Sequence, residues 1–423
     1  MLDIKFIRQN PEQVKTNNAN RGVEVDVDRL LQLDEDSRNL QTKLQDLQAK
    51  RNQQSKAKPD ATEITALKQL GADIKELENS LLGLTKELTE LLIRVPNMSD
   101  PKVKVGHQEE DNVIMGTAGK PTVFKFTPKD HVELGEKLDL IDLERGAKVT
   151  GAKFYYLKNE LALMELALIQ YVMDIVTKMG YIPMMTPDLA KEEVVEGLGY
   201  SPRRESTQIY NVENSGLSLI GTAEITLGGY HQDEVLLASE LPKKYVALSH
   251  CFRTEAGTYS KYAKGIFRVH QFTKVEMFAY TMPENSHQIH QEMLAIEKEI
   301  FNGLGIPYRV VDHCTIDLGN PSARTFDLEA WLPAKPKADN SLGDWAEITS
   351  CSNCTDYQAR GLNVKYKTAD GTKGLVHTLN GTGIAIPRAL IAILENYQQS
   401  DGSVAIPKVL RPYLNNRKLI KFK

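Results

Sequence analysis

The chain has 423 residues, of which 41% are hydrophobic and 26% are charged. This composition suits a folded protein of two or three domains and excludes wholesale disorder and fibrous repeats. Its 52 Lys and Arg against 56 Asp and Glu give a net charge of −4, so any contact with nucleic acid has to be local. The four cysteines are too few for a disulfide framework, which favours a reducing compartment.

No stretch of the sequence has the character of a membrane span or a secretory signal. The longest apolar-rich stretch, residues 161–179, is interrupted by charged and polar residues and is predicted to be an amphipathic core helix. The first residues lack the basic region, apolar run and cleavage site of a signal peptide. We therefore expect a cytoplasmic protein that does not enter a membrane.

Two leucine-rich seams near the N-terminus have apolar positions at steps of three and four, the spacing of a coiled-coil helix. The first seam starts at Leu30 and the second runs from Leu67 to Val95. Pro59 lies in the polar segment between them. Because proline cannot continue a helix, we expect the two helices to fold back as an antiparallel arm over about residues 28–95.

Positive charge is concentrated near the tip of this predicted arm. Residues 37–59 contain six basic residues against one acidic residue, which suits contact with the phosphates of an anionic polymer. The alternative is a solvated coiled coil that mediates self-association or spaces domains. The predicted phosphate contacts are Arg38, Lys43, Lys50, Arg51, Lys56 and Lys58.

Two strand-like runs in the middle of the chain are joined by a loop rich in glycine and basic residues. Side chains alternate along a strand, so Arg253 and Glu255 are predicted to share one face of the first run. Arg268, Phe272 and Glu276 are predicted to share a face of the second run. A face that mixes charged and aromatic residues suits neither a hydrophobic core nor a surface exposed to solvent. A nucleotide base stacked on Phe272 would explain the pattern.

Two further segments complete the predicted pocket. Glu347 and Ser350 offer oxygen atoms of the kind that Mg²⁺ prefers. Arg388 stands at the predicted start of an apolar helix, and arginine suits polyphosphate and can stack on adenine. Cys351 and Cys354 form a CxxC pair, but the other cysteines are not at a recognisable zinc spacing. No structural zinc is therefore expected.

Several of these segments resemble the signature motifs of class II aminoacyl-tRNA synthetases. Residues 252–255 and 268–276 resemble motif 2, and residues 380–388 resemble motif 3. Residues 180–189 resemble motif 1, whose strand and helix form the dimer interface in that class. Within the class the match is to seryl-tRNA synthetase, because residues 222–224 resemble the serine-binding loop of that family.

The resemblance runs nearly end to end and implies an α+β protein with two parts. An N-terminal tRNA-binding domain with the coiled-coil arm is expected over residues 1–96, and residues 97–150 are expected to be the linker and entry to the catalytic domain. Residues 151–423 are expected to form that domain, an antiparallel sheet flanked by helices.

The resemblance also implies a reaction: ATP-dependent attachment of L-serine to tRNA(Ser) through a seryl-adenylate, with release of AMP and pyrophosphate. It gives catalytic roles to Arg253 and Arg388, and a Mg²⁺ ion to Glu347 and Ser350. The ATP-binding residues that it implies are Arg253, Thr254, Glu255, Arg268, Val269, Phe272, Glu347, Ile348, Thr349, Ser350 and Arg388. The serine-binding residues that it implies are Thr222, Ala223, Glu224, Arg253, Glu276, Asn380 and Thr382.

The family further implies a homodimer, and it leaves open whether tRNA(Sec) is also charged. Two alternatives to this function stay open at this point. One is a relative that activates serine but delivers it to an acceptor other than tRNA, against which the intact arm argues. The other is a non-catalytic RNA-binding derivative, against which the retained charged residues of the pocket argue.

Overall fold

The structure is a computed structural model that describes residues 1–54, 61–200, 208–256, 263–337 and 339–422. The chain divides into two compact units, Met1–Met98 and Ser99–Lys423. Among the helices of the described ranges, none combines the length and the apolar character needed to cross a bilayer.

The first unit is helical. Its helices are α1 (Ile4–Gln9), α2 (Pro11–Asn20), α3 (Val27–Gln54) and α4 (Ala61–Leu92). Helices α3 and α4 pack against each other, and the first seam residue, Leu30, is fully buried. They run antiparallel, since Arg29 Nη2 lies 2.9 Å from Glu87 Oε1 and Gln48 Nε2 donates to Glu78 Oε1 at 3.3 Å. The predicted coiled-coil arm is confirmed.

Four of the six predicted phosphate contacts of the arm lie in the part of α3 that the structure describes. Those on the exposed surface of α3 are Arg38, Lys43, Lys50 and Arg51. Arg38 Nε lies 3.1 Å from Asp34 Oδ2, so part of its charge is neutralised within the helix. Lys56 and Lys58 lie outside the described residues.

The second unit is built on an eight-stranded sheet. The strands of the unit are β1 (Val113–Ala118), β2 (Ile141–Asp142), β3 (Tyr156–Leu157), β4 (Ile182–Met185), β5 (Leu189–Lys191), β6 (Asn211–Val212), β7 (Leu217–Leu219), β8 (Val235–Leu237), β9 (Lys243–Phe252), β10 (Gln271–Thr281), β11 (Tyr308–Asp312), β12 (Arg324–Pro336), β13 (Leu342–Thr355), β14 (Lys365–Lys367), β15 (Lys373–Leu375), β16 (His377–Ala385), β17 (Val404–Ala405) and β18 (Leu419–Ile420). The main sheet has the order β1-β11-β12-β13-β16-β10-β9-β4. Its neighbouring strands are antiparallel except β4 and β9, which are parallel. Because β1 is its first edge strand, the stretch expected as linker and entry contributes to the sheet itself.

Helices cover one face of this sheet. The helices of the unit are α5 (His131–Lys137), α6 (Leu143–Val149), α7 (Asn159–Lys178), α8 (Glu192–Gly197), α9 (Glu224–Gly229), α10 (Ser286–Leu304), α11 (Tyr357–Gly361) and α12 (Ile386–Asn396). Helices α7, α10 and α12 pack against the central strands. Val275, Met277 and Leu379 are fully buried in the apolar core there, whereas Glu276 and Asn380, which alternate with them, line a cavity. The predicted α+β class, with an antiparallel sheet flanked by helices, is confirmed.

Two irregularities in strand pairing aim polar residues at this cavity. The pairing of β12 with β13 skips Ile348, which is therefore the extra residue of a β-bulge. Glu347 and Ser350 are three positions apart, and regular alternation would place them on opposite faces of the sheet. The bulge puts both on the face of the cavity. A second irregularity lies beside Glu276, where β10 pairs with β16.

Candidate active site

A cavity of about 370 Å³ lies over the central strands, and its walls come from segments that are far apart in sequence. Most of the predicted site residues line it. They are Thr222, Glu224, Arg253, Glu255, Arg268, Val269, Phe272, Glu276, Glu347, Ile348, Thr349, Ser350, Asn380, Thr382 and Arg388.

Two residues predicted by resemblance are not among the residues that line this cavity. The methyl group of Ala223 lies in an apolar cluster with Ile225 and Leu227, because this residue leads directly into α9. Thr254 is tied to a neighbouring segment, since its backbone N–H donates to the carbonyl of Gln208 at 3.0 Å.

Arg253 stands directly after the end of β9 and forms one wall of the cavity. Its Nε donates to the carbonyl of Gly221 at 3.2 Å, and its Cζ lies 5.3 Å from the centroid of the Phe272 ring. A guanidinium group over an aromatic face is held by a cation–π interaction. This position leaves a fixed positive charge beside a flat ring, which suits a nucleotide phosphate and base.

Glu255 and Arg268 lie close together at the same end, with Arg268 Nη1 3.5 Å from Glu255 Oε2. Strand alternation was predicted to orient Glu255 on the first run and Arg268 on the second. This prediction was wrong, because β9 ends at Phe252 and β10 begins at Gln271, so both residues lie outside the strands. The loop backbone positions them instead. Glu255 has a φ of +50°, a left-handed conformation that residues other than glycine adopt uncommonly and that recurs at active sites.

Glu347 and Arg388 form an ion pair of 2.8 Å between Oε1 and Nη1. Arg388 is the third residue of α12, as its predicted place at a helix start requires, and its Cζ lies 5.0 Å from the centroid of Phe267. Partial desolvation inside the cavity opposes the ionisation of Glu347, but the charges of Arg388 and Arg253 outweigh it, so the pKa of this carboxyl is below its ordinary value. The site thus contains a carboxylate held in its anionic form.

Behind this carboxylate lies Asp327, which sequence reasoning missed. It pairs with Ser350 across β12 and β13, is buried, and its Oδ2 lies 2.9 Å from Nε2 of His313. Burial raises the pKa of Asp327 although His313 acts in the opposite direction. Asp327 adds a further acidic group on the side of the cavity where Glu347 and Ser350 lie.

Glu276 also lines the cavity, in a buried ion pair with Lys274, a lysine to which the sequence analysis gave no role. Burial raises the pKa of Glu276; Lys274 opposes this change and the negative charge of Glu224 adds to it. Thr382 is paired with Glu276 across β16 and β10. Two carboxyl groups and a hydroxyl therefore meet in a confined, polar pocket.

Glu224 is surrounded by hydrogen-bond donors. It accepts from the hydroxyl of Tyr200 at 2.8 Å, from Gln358 Nε2 at 2.6 Å and from Asn380 Nδ2 at 3.0 Å. Its own backbone N–H donates to Thr222 Oγ1 at 3.1 Å. Tyr200 and Gln358 were not predicted to belong to the site, since each is a single polar residue with no spacing signal of its own.

The sheet and the cavity together define a class of protein. Nucleotide sites of doubly wound folds lie at the ends of parallel strands, whereas here the cavity lies on the open face of an antiparallel sheet. That is the architecture of the class II aminoacyl-tRNA synthetases. Residues 209–397 match the tRNA synthetase class II core domain (G, H, P, S and T), and residues 1–99 match the seryl-tRNA synthetase N-terminal domain.

Similar proteins identify the family within this class. A serine-tRNA ligase of Treponema denticola is 50% identical over 420 residues, which cover 98% of each chain. The crystal structure of seryl-tRNA synthetase from Pyrococcus horikoshii complexed with ATP has a TM-score of 0.88 and 40% identity, and covers 100% of both chains. The cytoplasmic serine-tRNA ligase of Naegleria fowleri in complex with AMP has a TM-score of 0.84 and 35% identity, with 100% of this chain and 99% of that chain covered. The chain belongs to the seryl-tRNA synthetase family.

Proposed function

We propose that the chain attaches L-serine to tRNA(Ser) in an ATP-dependent reaction through a seryl-adenylate. The observation that carries this proposal is that Arg253, Phe272, Glu347 and Arg388, which are far apart along the chain, line one cavity. Membership of the seryl-tRNA synthetase family supports serine and tRNA as the substrates.

In the first step the carboxylate of serine attacks the α-phosphorus of ATP, and pyrophosphate leaves. In the second step the terminal adenosine hydroxyl of tRNA attacks the carbonyl carbon of the adenylate, and AMP leaves. The first nucleophile is already an anion and needs no strong protein base. Catalysis then rests on alignment and on neutralising charge, for which Arg253 would bind the serine carboxylate and the α-phosphate.

The remaining ATP contacts follow the shape of the cavity. Phe272 would stack on adenine, and Glu255 would accept a hydrogen bond from the adenine amino group. Arg388, which is paired with Glu347, would bind the γ-phosphate. Arginine suits this role because its planar group can make two parallel hydrogen bonds to phosphate.

Glu347 and Ser350 fit a Mg²⁺ ion. Both offer hard oxygen atoms on the same face of β13, and the side chain of Glu347 is 47% exposed and anionic. Within the described ranges there is no group of three or more His, Cys, Asp or Glu that could hold a metal. Mg²⁺ commonly takes one or two protein oxygens and completes its shell with substrate phosphates and water. When bound, the ion would polarise the phosphates and stabilise the leaving pyrophosphate.

The serine subsite is proposed to lie around Glu276. Glu276 would accept a hydrogen bond from the serine hydroxyl, with Thr382 and Asn380 beside it, and Glu224 would receive a further polar hydrogen of the substrate. A buried polar pocket of this kind rejects alanine, because its own groups would then be left without a partner.

The arm is proposed to bind tRNA through its exposed basic residues on α3. Phosphate contacts along a structured RNA suit such recognition, because the deep groove of an RNA helix hides the base edges. A cytoplasmic location stays a prediction.

A homodimer is proposed through α7 and β4. Leu163 and Leu166 are exposed on α7, and Ile182 and Met185 are exposed on β4, which is an edge strand of the main sheet. Unpaired edges and adjacent apolar patches are typical of interfaces. Sedimentation velocity should therefore give the mass of two chains, and a monomer at micromolar concentration would contradict the proposal.

The deciding experiment for the function is serine-dependent ATP–pyrophosphate exchange, measured beside alanine and threonine. We expect exchange with serine and strong discrimination against the other two amino acids. Charging of total tRNA should then follow. Exchange without charging would favour delivery of serine to another acceptor, and the loss of both activities would favour a non-catalytic RNA-binding protein.

A further inference from the structure

Behind the wall of the cavity, two polar residues that have no role so far lie in line with Glu224. Gln358, on α11, and Thr378, on β16, have 0% and 1% of their surface exposed. Thr378 Oγ1 donates to Gln358 Oε1 at 2.8 Å, and Gln358 Nε2 donates to Glu224 Oε1 at 2.6 Å. The three side chains form a buried chain of hydrogen bonds that ends at the cavity.

The chemistry of the groups fixes the direction of this chain. An ionised carboxylate can only accept hydrogen bonds, so the Gln358 amide has to turn its NH₂ toward Glu224. Its carbonyl oxygen then points away from Glu224 and toward the hydroxyl of Thr378, which donates to it. Removing the Thr378 hydroxyl would leave that buried carbonyl oxygen without its donor. The amide would then be held only from its Nε2 side, by Glu224 and by a longer bond of 3.4 Å to the carbonyl of Leu198.

The hydrogen bonds that the Glu224 carboxylate already accepts leave few of its lone pairs free for a substrate. Oε1 accepts from Gln358 and Asn380, and Oε2 accepts from Tyr200. Burial and the adjacent Glu224 raise the pKa of Tyr200 well above its ordinary value, so its hydroxyl remains a donor. A carboxylate has about four lone-pair sites. Among the described residues, three of these sites are filled, and the fourth belongs to Oε2.

We propose that Thr378 and Gln358 are positioning residues for the amino acid substrate, because they hold Glu224 so that Oε2 presents its remaining lone pair to a polar hydrogen of serine. This inference rests on the proposed function. Neither residue lines the cavity, so neither touches ATP or serine. Their effect should therefore fall on the binding of serine and not on that of ATP.

The test is Thr378→Val, which keeps the shape of the side chain and removes the donor. In ATP–pyrophosphate exchange we expect the KM for serine to rise about tenfold, the effect of losing one buried hydrogen bond that orients a charged group. The KM for ATP should stay within about twofold. Thr378→Ser, which restores the hydroxyl, should bring the KM for serine back toward the wild-type value.

Thr281→Val is the matched control. Thr281 is also fully buried, on the adjacent strand β10, and its hydroxyl has no hydrogen-bond partner among the described residues. The same change there should leave both KM values unaltered. If Thr378→Val lowers the melting temperature too far for kinetics, Gln358→Met should show the same split between the two substrates.

Two outcomes would overturn the inference while leaving the proposed function intact. One is an active Thr378→Val protein with an unchanged KM for serine, and the other is an equal rise in the KM for serine and for ATP. Wild-type protein without serine-dependent exchange would instead overturn the proposed function, and the positioning role with it.

Discussion

The buried ion pair of Lys274 and Glu276 allows a quantitative test of the electrostatics of the cavity. Their side chains are only 7% and 2% exposed. Glu276→Gln keeps the size of the side chain and removes its charge, which leaves the ammonium group of Lys274 buried without its partner. Breaking such a pair costs about 3–5 kcal/mol. Glu224 repels Glu276, and relief of this repulsion brings the expected loss to about 3 kcal/mol.

Tryptophan fluorescence during urea denaturation can measure this loss, because both tryptophans, Trp331 and Trp345, lie in the second unit. The double variant Lys274→Met/Glu276→Gln should recover most of the stability, since it removes the buried cation as well. Equal stability of Glu276→Gln and wild type, or losses that simply add in the double variant, would refute the reasoning. Glu276→Gln should also narrow the discrimination between serine and alanine.

Three further predictions address other parts of the molecule. Glu347→Gln should raise the Mg²⁺ concentration needed for half-maximal pyrophosphate exchange by about tenfold or more, and an unchanged titration would contradict its role as a ligand. Burial lowers the pKa of His290 to about 4, below its ordinary value of 6.5, so the contribution of His290 to stability should fall by about 3 kcal/mol as the pH drops from 6.5 to 4. His290→Phe should flatten that part of the profile, and a superimposable profile would show that another group is responsible. The triple variant Lys43→Glu/Lys50→Glu/Arg51→Glu should raise the KM for tRNA and reduce its salt dependence without changing pyrophosphate exchange, whereas equal losses in both assays would count against the arm as a tRNA contact.

The arm was predictable because its signal is local. Apolar residues at steps of three and four identify each helix, and Pro59 separates the two without any knowledge of the rest of the chain. That the second unit contains an antiparallel sheet was predictable, but the ends of its strands were not. Arg268 lies in a loop that continues the polar pattern of the strand, so sequence alternation cannot show where the strand begins.

The residues of the site were predicted mainly from their resemblance to family motifs. Alternation along the strand could not have grouped Glu347 with Ser350, because a bulge at Ile348 lies between them. Strict alternation would have separated Glu347 from Ser350, because they are three positions apart. The contacts of polar residues whose partners are distant in sequence could not be predicted at all. Gln358 is 134 positions from Glu224, and nothing in the spacing of either residue indicates that the two meet.

The position of β16 in the main sheet has a consequence for synthesis of the protein. It is the last of the eight strands to be translated, yet it lies in the middle, between β13 and β10. A nascent chain that has not yet released residues 377–385 from the ribosome therefore holds two half-sheets, each with an unpaired inner edge. Such edges invite aggregation. Ribosome-bound intermediates of this chain should therefore engage chaperones until nearly the end of translation.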